Sequence, residues 1–196
     1  MKKVIIILIC VVGALLLLAV FCILKYNGLV DAKTTVDQKW ADVESVYQRR
    51  ADLIPNLVAT VKGYAEHEES TLQAVTDART RATSISIDPA TATPEQVEAW
   101  MAAQNELTGA LGRLIAVAES YPDLKANQNF LQLQAQLEGT ENRIAVARMN
   151  YNEAVKNYNV CVRRFPNNIV ASMFGFEEWK MFEAQAGAEV APVVQF

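Results

Sequence analysis

The strongest claim to chemistry in this chain belongs to His67 and Glu68, adjacent residues of which the first is the only histidine present. A His-Glu pair opens the helical zinc-protease pattern. There a second histidine, four residues on, completes the pair of imidazole ligands and the glutamate serves as base. Position 71 is Thr71, and no Cys/His spacing supplies other ligands. No metal site is therefore expected, and His67 is given a capping or surface role. A Ser-His-Asp site would need a nucleophile motif beside the sole histidine, and none is present. Glu68-Glu69 and Glu177-Glu178 read as solvated charges, and Gly63, Gly109, Gly112 and Gly139 are too isolated to cradle a phosphate. No catalytic residue, cofactor or small-molecule substrate is assigned.

Three polar or aromatic sets remain as binding features. Arg49, Arg50, Asp52 and Asn56 cluster at an expected junction between two helices. They read as a helix cap with a hydrogen-bonded turn, or as a docking patch for anionic lipid or a protein, since guanidinium planes suit both. Asn152 and Asn159 are seven residues apart, each after a tyrosine. Buried asparagines so spaced can specify helix register. Phe174, Phe176, Trp179 and Phe182 concentrate aromatic surface in the tail as a possible contact site.

Composition limits the classes of partner. The net charge is -4 and the pI about 5.1. Nucleic acid would call for a basic face instead. Of the three cysteines, Cys10 and Cys22 lie in an apolar N-terminal run, which leaves Cys161 without a partner for a disulfide in the domain.

That run, residues 4–24, carries no charge. At about 1.5 Å per residue it covers roughly 31 Å, the thickness of a bilayer's hydrocarbon core. Lys2 and Lys3 flank one end, Lys25 and Tyr26 the other. A cleaved signal peptide would have a shorter apolar region ending in small residues. Bulky Phe21 before Cys22 argues against lipoprotein processing. A retained single-pass anchor over residues 1–25 is expected, in contact with membrane lipid through residues 4–24. The positive-inside rule comes close to a tie, with a lean toward the soluble domain lying outside the cytoplasm because Lys2 and Lys3 sit directly against the run.

Beyond the anchor, apolar spacing predicts four helices. The first carries Leu29, Val36, Trp40, Val43 and Tyr47. The second is expected to start near Asp52 as N-cap, with Pro55 in its first turn and Ile54, Leu57, Val61, Tyr64, Leu72 and Val75 as its stripe, ending near Ser84. Residues 85–93 read as a connector. The third begins at Thr93 with Pro94 first and Gln96 completing a capping box, and Tyr121-Pro122-Asp123 closes it. The fourth repeats Phe130, Leu133, Leu137, Thr140, Ile144, Ala147, Tyr151, Ala154, Tyr158, Cys161 and Phe165 in a coiled-coil-like seam of about five heptads, which Pro166 ends. The expected fold is all-α: an N-terminal transmembrane helix followed by an antiparallel four-helix bundle of long helices over residues 26–166, with an aromatic and apolar tail over residues 167–196.

The chain resembles the LemA family of bacterial membrane proteins. The resemblance rests on Arg49-Arg50-Ala51-Asp52-Leu53-Ile54-Pro55-Asn56-Leu57-Val58, Val61-Lys62-Gly63-Tyr64-Ala65-Glu66-His67-Glu68, Tyr121-Pro122-Asp123-Leu124-Lys125-Ala126 and Glu141-Asn142-Arg143-Ile144-Ala145-Val146-Ala147-Arg148. It continues through Tyr151-Asn152, Tyr158-Asn159, Phe165-Pro166 and Gly175-Phe176. The resemblance implies a helical bundle behind a transmembrane helix and supplies no activity. It also implies a short N-terminus outside the cell, the opposite side from the charge reading. The function expected is a non-enzymatic interaction or scaffold protein of the bacterial inner membrane, working with a protein partner or as a homo-oligomer. The alternative is a self-assembling membrane structural or pore-forming protein.

Overall fold

The computed structural model describes residues 2–65 and 67–182. Every regular element among them is helical: α1 (Lys2–Lys62), α2 (Glu69–Ser84), α3 (Pro94–Ala118), the single turn α4 (Pro122–Lys125), α5 (Gln128–Arg163) and α6 (Asn167–Phe174). The fold is all-α, with long helices packed as a bundle behind one long apolar N-terminal helix. The chain forms two compact units, residues 39–149 and residues 1–38 with 150–196, and α1 and α5 contribute to both.

Helix α1 changes character along its length. The large apolar side chains of residues 4–24 are exposed, Leu16 by 63 % and Leu17 by 74 %. From Leu29 onward a regular set turns inward: Leu29, Val36, Trp40, Val43, Tyr47, Arg50, Ile54, Leu57 and Val61 are all buried. From Val36 these steps alternate four and three residues, the spacing of one helical face. The helix is long and apolar enough to cross a membrane, and its apolar window is wholly uncovered by the rest of the chain. A soluble core helix of that composition would be covered by its neighbours.

The expected start of a second helix at Asp52 is corrected. Helix α1 runs on through Asp52 and Pro55 to Lys62, and the next helix begins only at Glu69. Proline inside a helix removes the N–H that would bond the carbonyl four residues back, at a cost of about 3 kcal/mol. Here that carbonyl belongs to Ala51, and Arg79 Nε of α2 donates to it at 2.8 Å. A donor from another helix replaces the missing one, so α1 does not end. Tyr64, expected in the stripe, lies past the helix end and is 44 % exposed.

In the unit of residues 39–149, the end of α1, α2, α3 and the start of α5 surround one apolar core. Ile54, Leu57, Val61, Leu72, Val75, Leu107, Leu111, Leu114, Leu124, Phe130 and Leu137 are its larger members. Each aliphatic residue so covered is worth roughly 1.5–3 kcal/mol of transfer free energy. Helix α3 starts as expected: Thr93 Oγ1 accepts from the Gln96 N–H at 3.3 Å, and Gln96 Oε1 accepts from the Thr93 N–H at 2.8 Å. Just before α2, the Tyr121 hydroxyl donates to Glu68 Oε1 at 3.2 Å. Asn127 Nδ2 donates to the Tyr64 hydroxyl at 2.8 Å, while its Oδ1 accepts the Phe130 N–H at 3.1 Å and caps α5.

In the other unit, Tyr151, Val155, Tyr158 and Val162 of α5 are buried, as are Leu29 and Val36 of α1, Val170 and Ala171 of α6, and Trp179. The seven-residue repeat of α5 is covered from Phe130 through Leu137, Ile144, Tyr151 and Tyr158. It stops there: α5 ends at Arg163, and Phe165 is 76 % exposed. Gly175 ends α6 in the left-handed region (φ 72), and its N–H returns to the Ala171 carbonyl. A side chain at that φ would be strained, which is why glycine suits the position.

Candidate functional site

After Gly175 the described chain is non-helical, and two asparagines of α5 hold it by its backbone. Asn159 accepts the Trp179 N–H on Oδ1 (2.9 Å) and donates from Nδ2 to the Trp179 carbonyl (2.8 Å). Asn152 does the same to Phe182, at 2.8 and 2.9 Å. The spacing follows from the two geometries. Seven helical residues advance about 10.5 Å. Three residues of extended chain advance about 9–10 Å. Amides two turns apart therefore meet peptide groups three residues apart. The tail runs antiparallel to α5, since the earlier tail residue pairs with the later asparagine.

Aromatic contacts fill in around this clamp. Trp179 is buried, with its ring 6.1 Å from that of Tyr158 and beneath Lys33 Nζ at 5.8 Å. The Phe182 ring lies 5.1 Å from Tyr151, whose hydroxyl donates to the Lys180 carbonyl at 3.2 Å. Arg163 and Glu178 close the rim with an ion pair at 3.0 Å. Phe174 and Phe176 meet Tyr26 edge-on at 4.9 and 5.6 Å. Phe174, Phe176, Trp179 and Phe182 thus all have partners within the chain. The two asparagines hold the tail, where the sequence suggested helix register. Burial pushes the Tyr158 hydroxyl up to about 12, with the Asp37, Cys161 and Glu177 charges adding to it. The end of the tail, residues 183–196, lies outside the described residues.

The arginine cluster divides. Arg49, Asp52 and Asn56 are exposed along one side of α1, where Gln48 Nε2 donates to Asp52 Oδ1 at 2.7 Å. Arg50 points the other way and is 2 % exposed. Its Nη1 donates to Thr108 Oγ1 and to Glu141 Oε1, both at 3.0 Å. Its Nη2 donates to the Gln104 side-chain oxygen, and Gln104 Nε2 donates to the Ala82 carbonyl near the end of α2 at 3.1 Å. One guanidinium thereby links α1 to α3 and α5, and Gln104 carries the link on to α2. The Tyr47 ring lies 5.0 Å from the guanidinium carbon, and Nε is left without a hydrogen-bond partner. Burial raises the Tyr47 hydroxyl above its ordinary value, against the opposing pull of Arg148 and Arg50. The inward direction of Arg50 was available in the sequence: Val43, Tyr47, Arg50, Ile54 and Leu57 continue a single four-and-three spacing.

A shallow cavity of about 150 Å³ lies beside Trp40, Tyr47, Trp100, Ile87 and Gln104, with Glu44 as its charged lining residue. Two of its rings, Tyr47 and Trp100, pack edge-on at 4.9 Å. His67 is exposed in the turn after α1. Among the described residues no group of three His, Cys, Asp or Glu side chains is placed to hold a metal ion.

Residues 39–196 match the LemA family. The chain belongs to the LemA family. It is similar to "Magnetosome protein MamQ 2" of Paramagnetospirillum magneticum, with 27 % identity over 88 % of this chain and 69 % of the relative. The "Magnetosome protein MamQ" of Magnetospirillum gryphiswaldense is 25 % identical over the same shares. "Protein LemA" of Metamycoplasma hominis is 23 % identical over 82 % of this chain and 69 % of its own length. Within this LemA-family chain the match takes in the arginine hub, the α5 asparagines and the tail they hold.

Proposed function

We propose that this LemA-family chain is a non-enzymatic, membrane-anchored helical scaffold. Residues 4–24 hold it in the bacterial inner membrane, and the bundle offers its exposed faces to a protein partner or to a second copy. The observation that carries this reading is the change along α1: an uncovered apolar stretch becomes, within the same helix, part of a packed bundle. Bare apolar surface of that length is stable only in lipid or against another apolar segment. The polar groups with the strongest pull toward chemistry, Arg50 and its partners, are spent on each other inside the bundle. The magnetosome relatives carry names that state no activity. Of the sequence-identified patch, Arg49, Asp52 and Asn56 remain as candidate docking residues.

Membrane extraction tests the anchor. A charge at a span's centre costs about 2.5–3.5 kcal/mol on insertion. Leu16→Arg is therefore expected to shift the chain out of the carbonate-resistant membrane fraction, and unchanged partition would count against the anchor. Cross-linking in intact cells, followed by identification of the attached proteins, tests the scaffold role. Recovery of one discrete homo-oligomer with its spans cross-linked would favour the pore-forming alternative. The bundle is read as lying outside the cytoplasm. Glu69→Cys, at an exposed position, should then react with a membrane-impermeant thiol reagent before the inner membrane is broken.

A further inference from the structure

We propose that α6 lies in the headgroup layer of the membrane, with its Ile169 and Met173 side turned into lipid. The inference rests on the reading of residues 4–24 as the anchor and extends it to a second, non-spanning contact. Helix α6 is eight residues long and uncharged. Its Val170 and Ala171 are buried, while Ile169, Met173 and Phe174 are 52, 69 and 56 % exposed. Ile169 and Met173 are four residues apart and so share one side of the helix. Single exposed apolar residues are ordinary on a soluble protein, but a contiguous group on one helical side marks a contact surface.

Position decides what that contact is. The Phe174 ring lies 4.9 Å from the ring of Tyr26, and Phe176 reaches the same tyrosine at 5.6 Å. Tyr26 follows directly on the uncharged run that ends at Leu24 and on Lys25. Tyrosine beside a span sits at the headgroup level, where its ring is apolar and its hydroxyl wet. A headgroup layer is about 5–8 Å thick on each side of the hydrocarbon. A helix whose end touches Tyr26 is therefore already at that depth. The bilayer that holds residues 4–24 is adjacent to α6 with no further encounter, whereas a second copy would have to be recruited at an entropic cost. Helix α6 is apolar on its outward side as well as its buried one, and Arg163 and Arg164 just before it supply the cationic flank that favours the headgroup layer.

The test uses the full chain with Cys10, Cys22 and Cys161 changed to serine, reconstituted in phosphatidylcholine–phosphatidylglycerol vesicles. Single cysteines placed by Met173→Cys, Leu16→Cys and Glu69→Cys carry an environment-sensitive fluorophore. Nitroxide-bearing lipids quench it from either the headgroup end or the deep end of the acyl chain. The label at 173 is expected to be quenched most by the shallow nitroxide, the label at 16 most by the deep one, and the label at 69 by neither. If 173 behaves like 69 while 16 is quenched, α6 faces water and the proposal fails with the anchor intact. If 16 escapes quenching as well, the anchor reading and the proposal fall together. An apolar signal at 173 that ignores lipid nitroxides and grows with protein density would assign the surface to a second copy, which also overturns it.

Discussion

Arg79 donates from Nε, at 2.8 Å, to the carbonyl of Ala51, the group that Pro55 leaves without a helical donor. The two residues lie on different helices, and the bond lets a proline persist inside α1. It also gives the break between α1 and α2 its place: with the carbonyl satisfied, the helix continues until Gly63.

Replacing Arg79 with methionine keeps most of the side chain's bulk and removes the donor. An unsatisfied buried carbonyl costs about 1–3 kcal/mol, so a loss of that size is expected in chemical denaturation. In a Pro55→Ala background the amide at position 55 supplies the bond, and the same substitution should cost distinctly less. Equal losses in the two backgrounds would deny the exchange of donors described for this carbonyl.

Arg50 is expected to tolerate neither removal nor conservative change. Arg50→Ala removes the donor to Thr108, to Gln104 Oε1 and to Glu141; with charge-assisted bonds worth about 1.5–3 kcal/mol each, a loss of roughly 3–5 kcal/mol is expected. Lysine cannot present two forked nitrogens to partners on separate helices. Arg50→Lys should therefore recover only a minor part of that stability. A thermal melt within a few degrees of the parent for either variant would contradict the hub.

Asn159→Leu removes both bonds to Trp179, and Asn152→Leu both bonds to Phe182. In either variant the tail should separate from α5 more often. Trypsin is expected to cut after the exposed Lys180 faster than in the parent, and Trp179 emission to shift toward that of a wet indole. The unit of residues 39–149 should keep its melting behaviour. Unchanged cleavage in both variants would mean that the aromatic contacts alone suffice.

Alkaline stability follows the tyrosines. Burial raises the Tyr158 hydroxyl from 10.0 to about 12 in the folded chain, and raises that of Tyr47 as well. Each folded value lies above the unfolded one, so the unfolded chain loses these protons first. The stabilising contribution is complete below pH 10.0 and disappears as pH climbs toward about 12. Denaturation midpoints should be insensitive to these groups near neutrality and fall through that window. Tyr158→Phe, which has no proton to lose, should flatten the decline.

Much of this was legible from local rules. The Thr93-Pro94-Gln96 start of α3 is a short-range device, and the structure contains each bond it implies. The α5 seam and the uncharged span were equally plain, because both are periodic or compositional. What escaped were contacts across the chain. Asp52 and Pro55 have the chemistry of a helix start, and only a donor from α2 overrides it. Asn152 and Asn159 have the spacing of a register device, yet their partners are peptide groups far along the sequence, and peptide groups leave no residue-type signature. Adjacency groups Arg50 with Arg49, although the four-and-three spacing of Val43, Tyr47, Ile54 and Leu57 puts it on the buried side.

The asparagine clamp has one more consequence, for how the tail can change over time. Each amide touches only an N–H and a carbonyl, groups that every amino acid except proline supplies alike. The exposed residues Lys180 and Met181 between the held positions are thus free to drift without loosening the grip. Among relatives that keep this arrangement, two amide side chains seven apart on the helix should persist above a tail of variable sequence. Proline at position 179 or 182 should be the substitution that lineage avoids.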